Sequence, residues 1–241
     1  MRRLGMILLG LALLQVAAIA PISFLNAPTA GGGDITTSLV AWYKMDENTG
    51  TSTTADSSGN SLTATLNNSP SWTTAQIGVS ALSFNGSNQY LTISGTTTLK
   101  PSTFTIAAWV KDSGSIPTPT ARWIVSLNQN DVRLIMADSG DGHIASEIYN
   151  GSGFTTLAAG TLNVGAWNHV VVTYDGSTQK IYLNGTLSAS GSATLSWEST
   201  ASSSIGATQG GSLLWNGKLD DVRIYSRPLS QTDIDTLYAY R

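Results

Sequence analysis

The side chains able to do chemistry in this sequence are few, and their spacing argues against catalysis. Glycosidic cleavage needs two carboxylates about 5 to 10 Å apart, one an acid and the other a nucleophile or base. Glu47, Glu147 and Glu198 fall on three separate segments. Asp220 and Asp221 are neighbours in a β-patterned stretch, which predicts side chains on opposite faces and no working pair. His143 and His169 have no Ser or Cys nucleophile at motif spacing and are read as packed or hydrogen-bonded histidines. The chain has no cysteine, which removes disulfides and thiolate metal cages. It is read as no enzyme.

The oxygen donors and the aromatics offer more. Calcium takes about six to eight oxygens from carboxylates, amides and backbone carbonyls. Asp46, Asp56 and Asn60 lie in or near one polar loop, and Asp220 lies on a late strand. These make a candidate structural Ca²⁺ site; the competing reading is an Asx turn from Asp56 to Gly59 and a cap at Asp220. Sugars are held by aromatic faces together with planar polar groups. Among the seven tryptophans, Trp72, Trp123, Trp197 and Trp215 lie in or beside expected loops with Tyr149, and form a candidate aromatic platform. The alternative for each is partial core cover. Asn67, Asn85, Asn150 and Asn184 begin N-x-Ser/Thr sequons, of which Asn85 and Asn184 are better explained as turn residues.

Composition bounds the rest. Charged residues are 11% of 241, well under the roughly 25% of an average domain, so solubility rests on hydroxyls and amides. A net charge of −3 gives no basic field and argues against nucleic acid as a partner. Met1-Arg2-Arg3 followed by the apolar run Leu4 to Ala20 reads as an export signal over residues 1–30. Ala27 and Ala30 suit cleavage, while the length of the run also suits an uncleaved anchor, the only expected membrane contact. Residues 31–37 read as a Gly-rich linker. In either case the folded part is expected outside the cytoplasm, secreted or at the cell surface.

The elements that must position these groups are strands. Trp167 to Gly185 (WNHVVVTYDGSTQKIYLNG) places Val170, Val172 and Tyr174 on one face and Val171 and Thr173 on the other, with turn signals at Asp175-Gly176 and Asn184-Gly185. Leu39 to Lys44, Leu62 to Leu66, Phe104 to Lys111, Trp123 to Leu127, Val132 to Ala137, His143 to Tyr149 and Leu219 to Tyr225 read as further strands, and Ala81 to Ser94 as a hairpin about Asn85-Gly86. Ser188 to Ser204 reads as a Ser/Thr/Ala-rich connection. Ser230 and Asp233 approximate a capping box that opens one short C-terminal helix, with Ile234, Leu237 and Tyr238 facing the sheets. The pattern describes one all-β domain over residues 38–241, a two-sheet antiparallel sandwich with that terminal helix.

Five segments, in order, resemble the concanavalin A-like, laminin G-like jelly-roll domains: LVAWYKMDENTGTSTTADSSGNSLTATL, ALSFNGSNQYLTI, FTIAAWVK, AWNHVVVTYDGSTQKIYLNG and LDDVRIYSRPLSQTDIDTLY. The likeness covers nearly everything from Leu39 to Tyr238. It implies a jelly roll with its first and last strands close together, which would bring Asp220 toward the first loop, and it assigns Trp42, Trp109 and Trp167 to strands of the core. The Glu-x-Asp-x-x-Glu strand of hydrolases on related sandwiches is not found. The resemblance implies a non-catalytic binding module for polysaccharide or glycoprotein; the alternative it leaves is a structural or adhesive domain without a soluble ligand.

Overall fold

A computed structural model describes residues 34–50, 52–114, 121–136, 142–198 and 201–240. The expected export segment and residues 31–33 of the expected linker lie outside these residues. The chain forms β1 (Leu39–Tyr43), β2 (Thr53–Thr54), β3 (Ala64–Asn67), β4 (Ser71–Thr73), β5 (Ala81–Asn85), β6 (Tyr90–Ile93), β7 (Phe104–Asp112) and β8 (Arg122–Leu127). It continues with β9 (Val132–Met136), β10 (His143–Tyr149), β11 (Phe154–Thr161), β12 (Asn168–Tyr174), β13 (Thr178–Leu183), β14 (Thr186–Ser192), β15 (Ser203–Ile205), β16 (Asn216–Tyr225) and α1 (Gln231–Ala239). The first sheet runs β14-β13-β12-β7-β16-β5-β4, with β1 beside β5 on the same flank of β16. The second runs β11-β10-β9-β8-β15-β6-β3-β2. Every pairing is antiparallel.

The period-2 pattern explains the layers. On β7, Phe104, Ile106, Ala108 and Val110 enter the interior between the sheets, where they meet Val170, Val172 and Tyr174 of β12 and Leu134, Ile144 and Ile148 of the opposite sheet. Alternate residues on the outer side of the first sheet, Ala107 of β7, Val171 of β12 and Tyr225 of β16, are buried as well, under Leu229, Ile234 and Leu237. Helix α1 therefore exists to cover a sheet face that would otherwise expose apolar area. Its start is fixed by the expected capping box, in which the Ser230 hydroxyl accepts from Asp233 N–H and the Asp233 carboxylate accepts from Ser230 N–H. Tyr238 stacks on Trp109 at 5.7 Å. Between β13 and β14 the turn is Asn184-Gly185, with φ of 51° and 82°, the left-handed pair that a two-residue hairpin needs.

Four expectations are corrected. Ala81 to Ser94 is not a hairpin: β5 pairs with β4 and β16 in the first sheet, while β6 pairs with β3 and β15 in the second. The Asn85-Gly86 signal reverses the chain, but the interior face of both strands is satisfied by crossing from one layer to the other. The Ser188 to Ser204 stretch is not only a connection, since β14 and β15 occupy its ends. Trp42 is half-buried rather than core, held by a bond from its indole N–H to Asp221 at 2.6 Å. Residues 34–37 are not a free linker: the Tyr225 hydroxyl donates to Ile35 O at 2.9 Å, Arg227 donates to Asp34 O, and Ile35 packs beside the α1 cluster.

Ile106 is fully enclosed in the interior cluster. Ile106→Ala is expected to cost about 2–5 kcal/mol in urea unfolding, whereas Thr186→Ala on exposed β14 should stay within about 0.5 kcal/mol. Equal midpoints for the two variants would contradict this packing.

Candidate functional site

The second sheet has a different outer face from the first. On β9, Val132, Leu134 and Met136 point inward, so Arg133 and Ile135 point out; on β10, Ile144 and Ile148 point inward, so Ala145, Glu147 and Tyr149 point out. Trp123 of β8 packs outside against Ile135 and Ala145 in a small separate cluster. The Arg133 guanidinium lies over two rings, 4.7 Å from the Trp123 centroid and 3.4 Å from that of Phe154. It pairs with Glu147 at 2.6 Å and donates from Nε to Asn130 O at 3.0 Å, so its plane is fixed. Phe154 in turn lies 5.3 Å from Tyr149, and it is 39% exposed. The Glu198 carboxylate beside the Tyr149 hydroxyl holds that phenol above its usual range. The result is an apolar ring surface edged by a guanidinium, two carboxylates and a phenol, all reachable from solvent. Stacking and multiple polar contacts are the chemistry it can perform.

Of the five predicted platform aromatics, this face brings together Trp123 and Tyr149. Trp123 forms its floor, being only 5% exposed beneath Arg133, and cannot itself take a ligand. Trp215 is corrected outright: it is fully enclosed in the interior cluster, with its indole N–H on Lys218 O at 3.3 Å. Trp72 is half-buried on edge strand β4 and donates to Gly50 O at 2.7 Å. Trp197 is half-buried in the connection between β14 and β15 and donates to Pro101 O at 3.1 Å. Both pack against the interior cluster. Phe154 and Arg133 were not expected. The signal for Phe154 was present in Asn150-Gly151, where the Asn150 side chain accepts from Ser152 and Gly153 N–H at 3.0 Å each and turns β10 into β11.

The four predicted metal ligands divide into two places. Asp56 accepts from the N–H groups of Trp42, Ser58 and Leu62 at 2.8 to 3.0 Å, and Asn60 donates to Leu39 O and Val40 O, so both already serve as loop caps. The Asp56 carboxylate is thereby engaged on both oxygens. Asp46 and Asp220 instead grip one loop, residues 74–80, from its two ends: Asp46 Oδ1 accepts from Val79 and Ser80 N–H, and Asp220 Oδ2 accepts from Gln76 and Ile77 N–H at 2.8 and 2.9 Å. Among the described residues there is no group of three or more His, Cys, Asp or Glu arranged to hold a metal ion.

Asp220 and Asp221 also depart from the expected alternation. Leu219, Val222 and Ile224 all lie in the interior cluster, and the pairing of β16 with β7 shifts between Asp220 and Arg223. A bulge with Asp221 at φ 48° absorbs the extra residue and puts both carboxylates outside the sheet. Each is then partnered separately, Asp221 by Arg223 at 3.0 Å and by Trp42, Asp220 by the 74–80 loop. Burial, reinforced by the charge of Asp221, pushes the Asp220 carboxyl up to about 7. The folded chain thus holds a proton that the unfolded chain releases near pH 4, so this contribution to stability is complete below about pH 4 and is lost as pH rises through about 7. Asp220→Asn should flatten the fall of unfolding free energy, on the order of a few kcal/mol, and with it the fall of Tm between pH 4 and 7 relative to wild type. Parallel Tm-against-pH curves for the two proteins would contradict the assignment.

With the geometry in place, comparison with known proteins is informative. The model of the family described as "Concanavalin A-like lectin/glucanases superfamily" (Laminin_G_3) matches residues 85–235. Adhesion G-protein coupled receptor V1 of Danio rerio is 28% identical over 180 residues, which is 67% of this chain and 3% of the receptor. The botulinum neurotoxin serotype D binding domain superposes with a TM-score of 0.68 at 17% identity, over 86% of this chain and 52% of that one. Domain 4 of AbnA, a GH43 extracellular arabinanase from Geobacillus stearothermophilus solved in complex with arabinotriose, gives 0.64 at 20% identity over 83% of this chain and 98% of that domain. The two structures show a shared fold, and the chain spans only a small fraction of the receptor and about half of the neurotoxin domain. The matched region runs from the β5–β6 crossing into α1, and on that ground the chain belongs to the concanavalin A-like lectin/glucanases superfamily as a laminin G-like domain.

Proposed function

We propose that this domain is an extracellular, non-catalytic module that binds carbohydrate on the outer face of its second sheet. The observation that carries the reading is Phe154, exposed beside Tyr149 and braced by Arg133 at 3.4 Å, with Glu147 and Glu198 at the margin. An aromatic face ringed by fixed donors and acceptors suits the apolar side and the hydroxyl edge of a sugar ring together. The arabinotriose held by the arabinanase domain supports a glycan as the kind of partner. Glu147 is engaged by Arg133 and by the Thr156 hydroxyl, which favours a positioning role over acid or base chemistry. The expected export signal supports the location; no helix among the described residues is long and apolar enough to cross a membrane. A glycoprotein would be met through its glycans. The alternative, a structural or adhesive domain without a soluble ligand, is favoured by the match to an adhesion receptor.

Stacking in an open site implies affinity in the millimolar to micromolar range, about −4 to −8 kcal/mol, raised in use by multivalency. On a glycan array that includes arabinotriose, Phe154→Ala should weaken binding about 10-fold with Tm unchanged, while Trp72→Ala should leave affinity as it is. Binding that survives Phe154→Ala would overturn this site, and an array without any ligand would favour the adhesive reading.

The structural calcium belongs to the same proposal and narrows to Asp46 and Asp220. What supports it is Asp220 Oδ1, a buried carboxyl oxygen without a hydrogen-bond partner among the described residues; calcium would have to displace the proton that the metal-free fold holds there up to about pH 7, and carbonyls and water would complete the roughly six to eight ligands. Chelation should then lower Tm, and Asp220→Asn should abolish the calcium dependence. An unchanged Tm would leave Asp220 as a hydrogen-bonded clamp on the 74–80 loop.

A further inference from the structure

We propose that Lys111 and Lys218, with Ser83 and Asn216, form a subsite for the carboxylate or sulfate group of an acidic saccharide. The two lysines stand directly opposite each other in the β7–β16 ladder, and Ser83 of β5 stands opposite Lys218 on the other flank. Val110 and Leu219, one residue away on each strand, are fully buried in the interior, so both ammonium groups leave the outer side of the first sheet. Like charges placed directly across an antiparallel pair repel. Among the described residues neither lysine has a carboxylate within ion-pair distance.

The carboxylates near these lysines are already committed. Asp112, next to Lys111, is buried facing the second sheet, where it pairs with Arg122 at 2.8 Å and accepts from Gly114 N–H at 2.7 Å. Asp220, two residues beyond Lys218, is covered by the 74–80 loop and accepts from Gln76 and Ile77 N–H. The two positive charges therefore face solvent together, over a recess of about 150 Å³ at the ends of β5, β7 and β16, bordered also by Ser113, Asn216, Phe84 and Asp112, the last with its carboxylate engaged by Arg122.

The pairing is built into the backbone. Gly217 has φ 143°, and a side chain there would overlap the Lys111 carbonyl oxygen, so only glycine lets β16 close on β7 at this point and hold the two lysines side by side. The volume accepts one oxyanion with a few waters. Two ammonium groups match a single such group, whereas a polyanion like nucleic acid would meet a chain of net charge −3. That the carrier is a saccharide rests on the carbohydrate reading above; the anion subsite lies on the other sheet and stands apart from the Phe154 face.

The test titrates the exported protein with trigalacturonate, its neutral counterpart galactotriose and inorganic sulfate, following amide NMR shifts at low salt. Trigalacturonate is expected to bind about 10-fold tighter than galactotriose, to perturb Ser83, Lys111, Asn216 and Lys218, and to lose that advantage between ~20 and ~200 mM salt. Lys111→Gln/Lys218→Gln should abolish the preference without lowering Tm, since it also removes a repulsion, and should leave any galactotriose binding at Phe154 intact. Phe154→Ala should do the reverse, which separates failure of this subsite from failure of the carbohydrate face. Equal affinities for the two trisaccharides, a preference that survives the double variant, or shifts with inorganic sulfate alone would each overturn the proposal.

Discussion

The structure depends on a central ladder, β12-β7-β16, that is buried on both faces. A strand covered on one side can alternate apolar and polar residues, but one covered on both sides cannot, and its outer row needs its own cover. Helix α1 supplies it over Ala107, Val171 and Tyr225, residues 34–37 extend it, and the 74–80 loop completes it over Asp220. The C-terminal helix and the N-terminal tail are thus consequences of the ladder's composition. On the outer face of the second sheet, Arg133, Tyr149 and Phe154 stand partly exposed beside the buried Trp123, Ile135 and Ala145.

The scarce charges are spent on geometry. Arg122 of β8 and Asp112 of β7 pair across the two sheets, Arg223 and Asp221 pin the bulge of β16, and Arg227 and Asp233 tie the end of that strand to the helix cap. Removing one partner of such a buried pair leaves the other charge unpaired and costs far more than the pair contributes. Arg133 and Glu147 pair across the β9–β10 ladder, and this pair also flattens a guanidinium onto a ring. Lys111 and Lys218 depart from this pattern, since nothing described neutralises them.

What could be read from the residues follows how strongly each position is dictated. Phe104 to Lys111, His169 to Tyr174 and the Ser230 cap were legible because β-branched alternation and capping chemistry leave little choice. β11 and β14 were not, because Thr, Ser, Ala and Gly on exposed edges carry no alternation; only their pairing to β10 and β13 makes them strands. Asn85-Gly86 specified a reversal without specifying whether the chain stays in its sheet. The Asp221 bulge is invisible in a period-2 reading, which is why two carboxylates expected on opposite faces share one. At the candidate site the sequence pointed to Trp123 and Tyr149 but also to Trp215, since large aromatics near loops look alike until burial is known. Arg133 of β9 and Phe154 of β11 become a site only through register, with β10 between them.

The central claim is that ligand meets the outer face of the second sheet. Its most direct test is a crystal structure of the protein with an oligosaccharide bound. The account predicts a sugar ring on Phe154 and Tyr149, with hydroxyls held by Arg133, Glu147 or Glu198. A ring seated instead against Trp72, against Trp197 or in the Asp56 loop, with Phe154 bare, would contradict it.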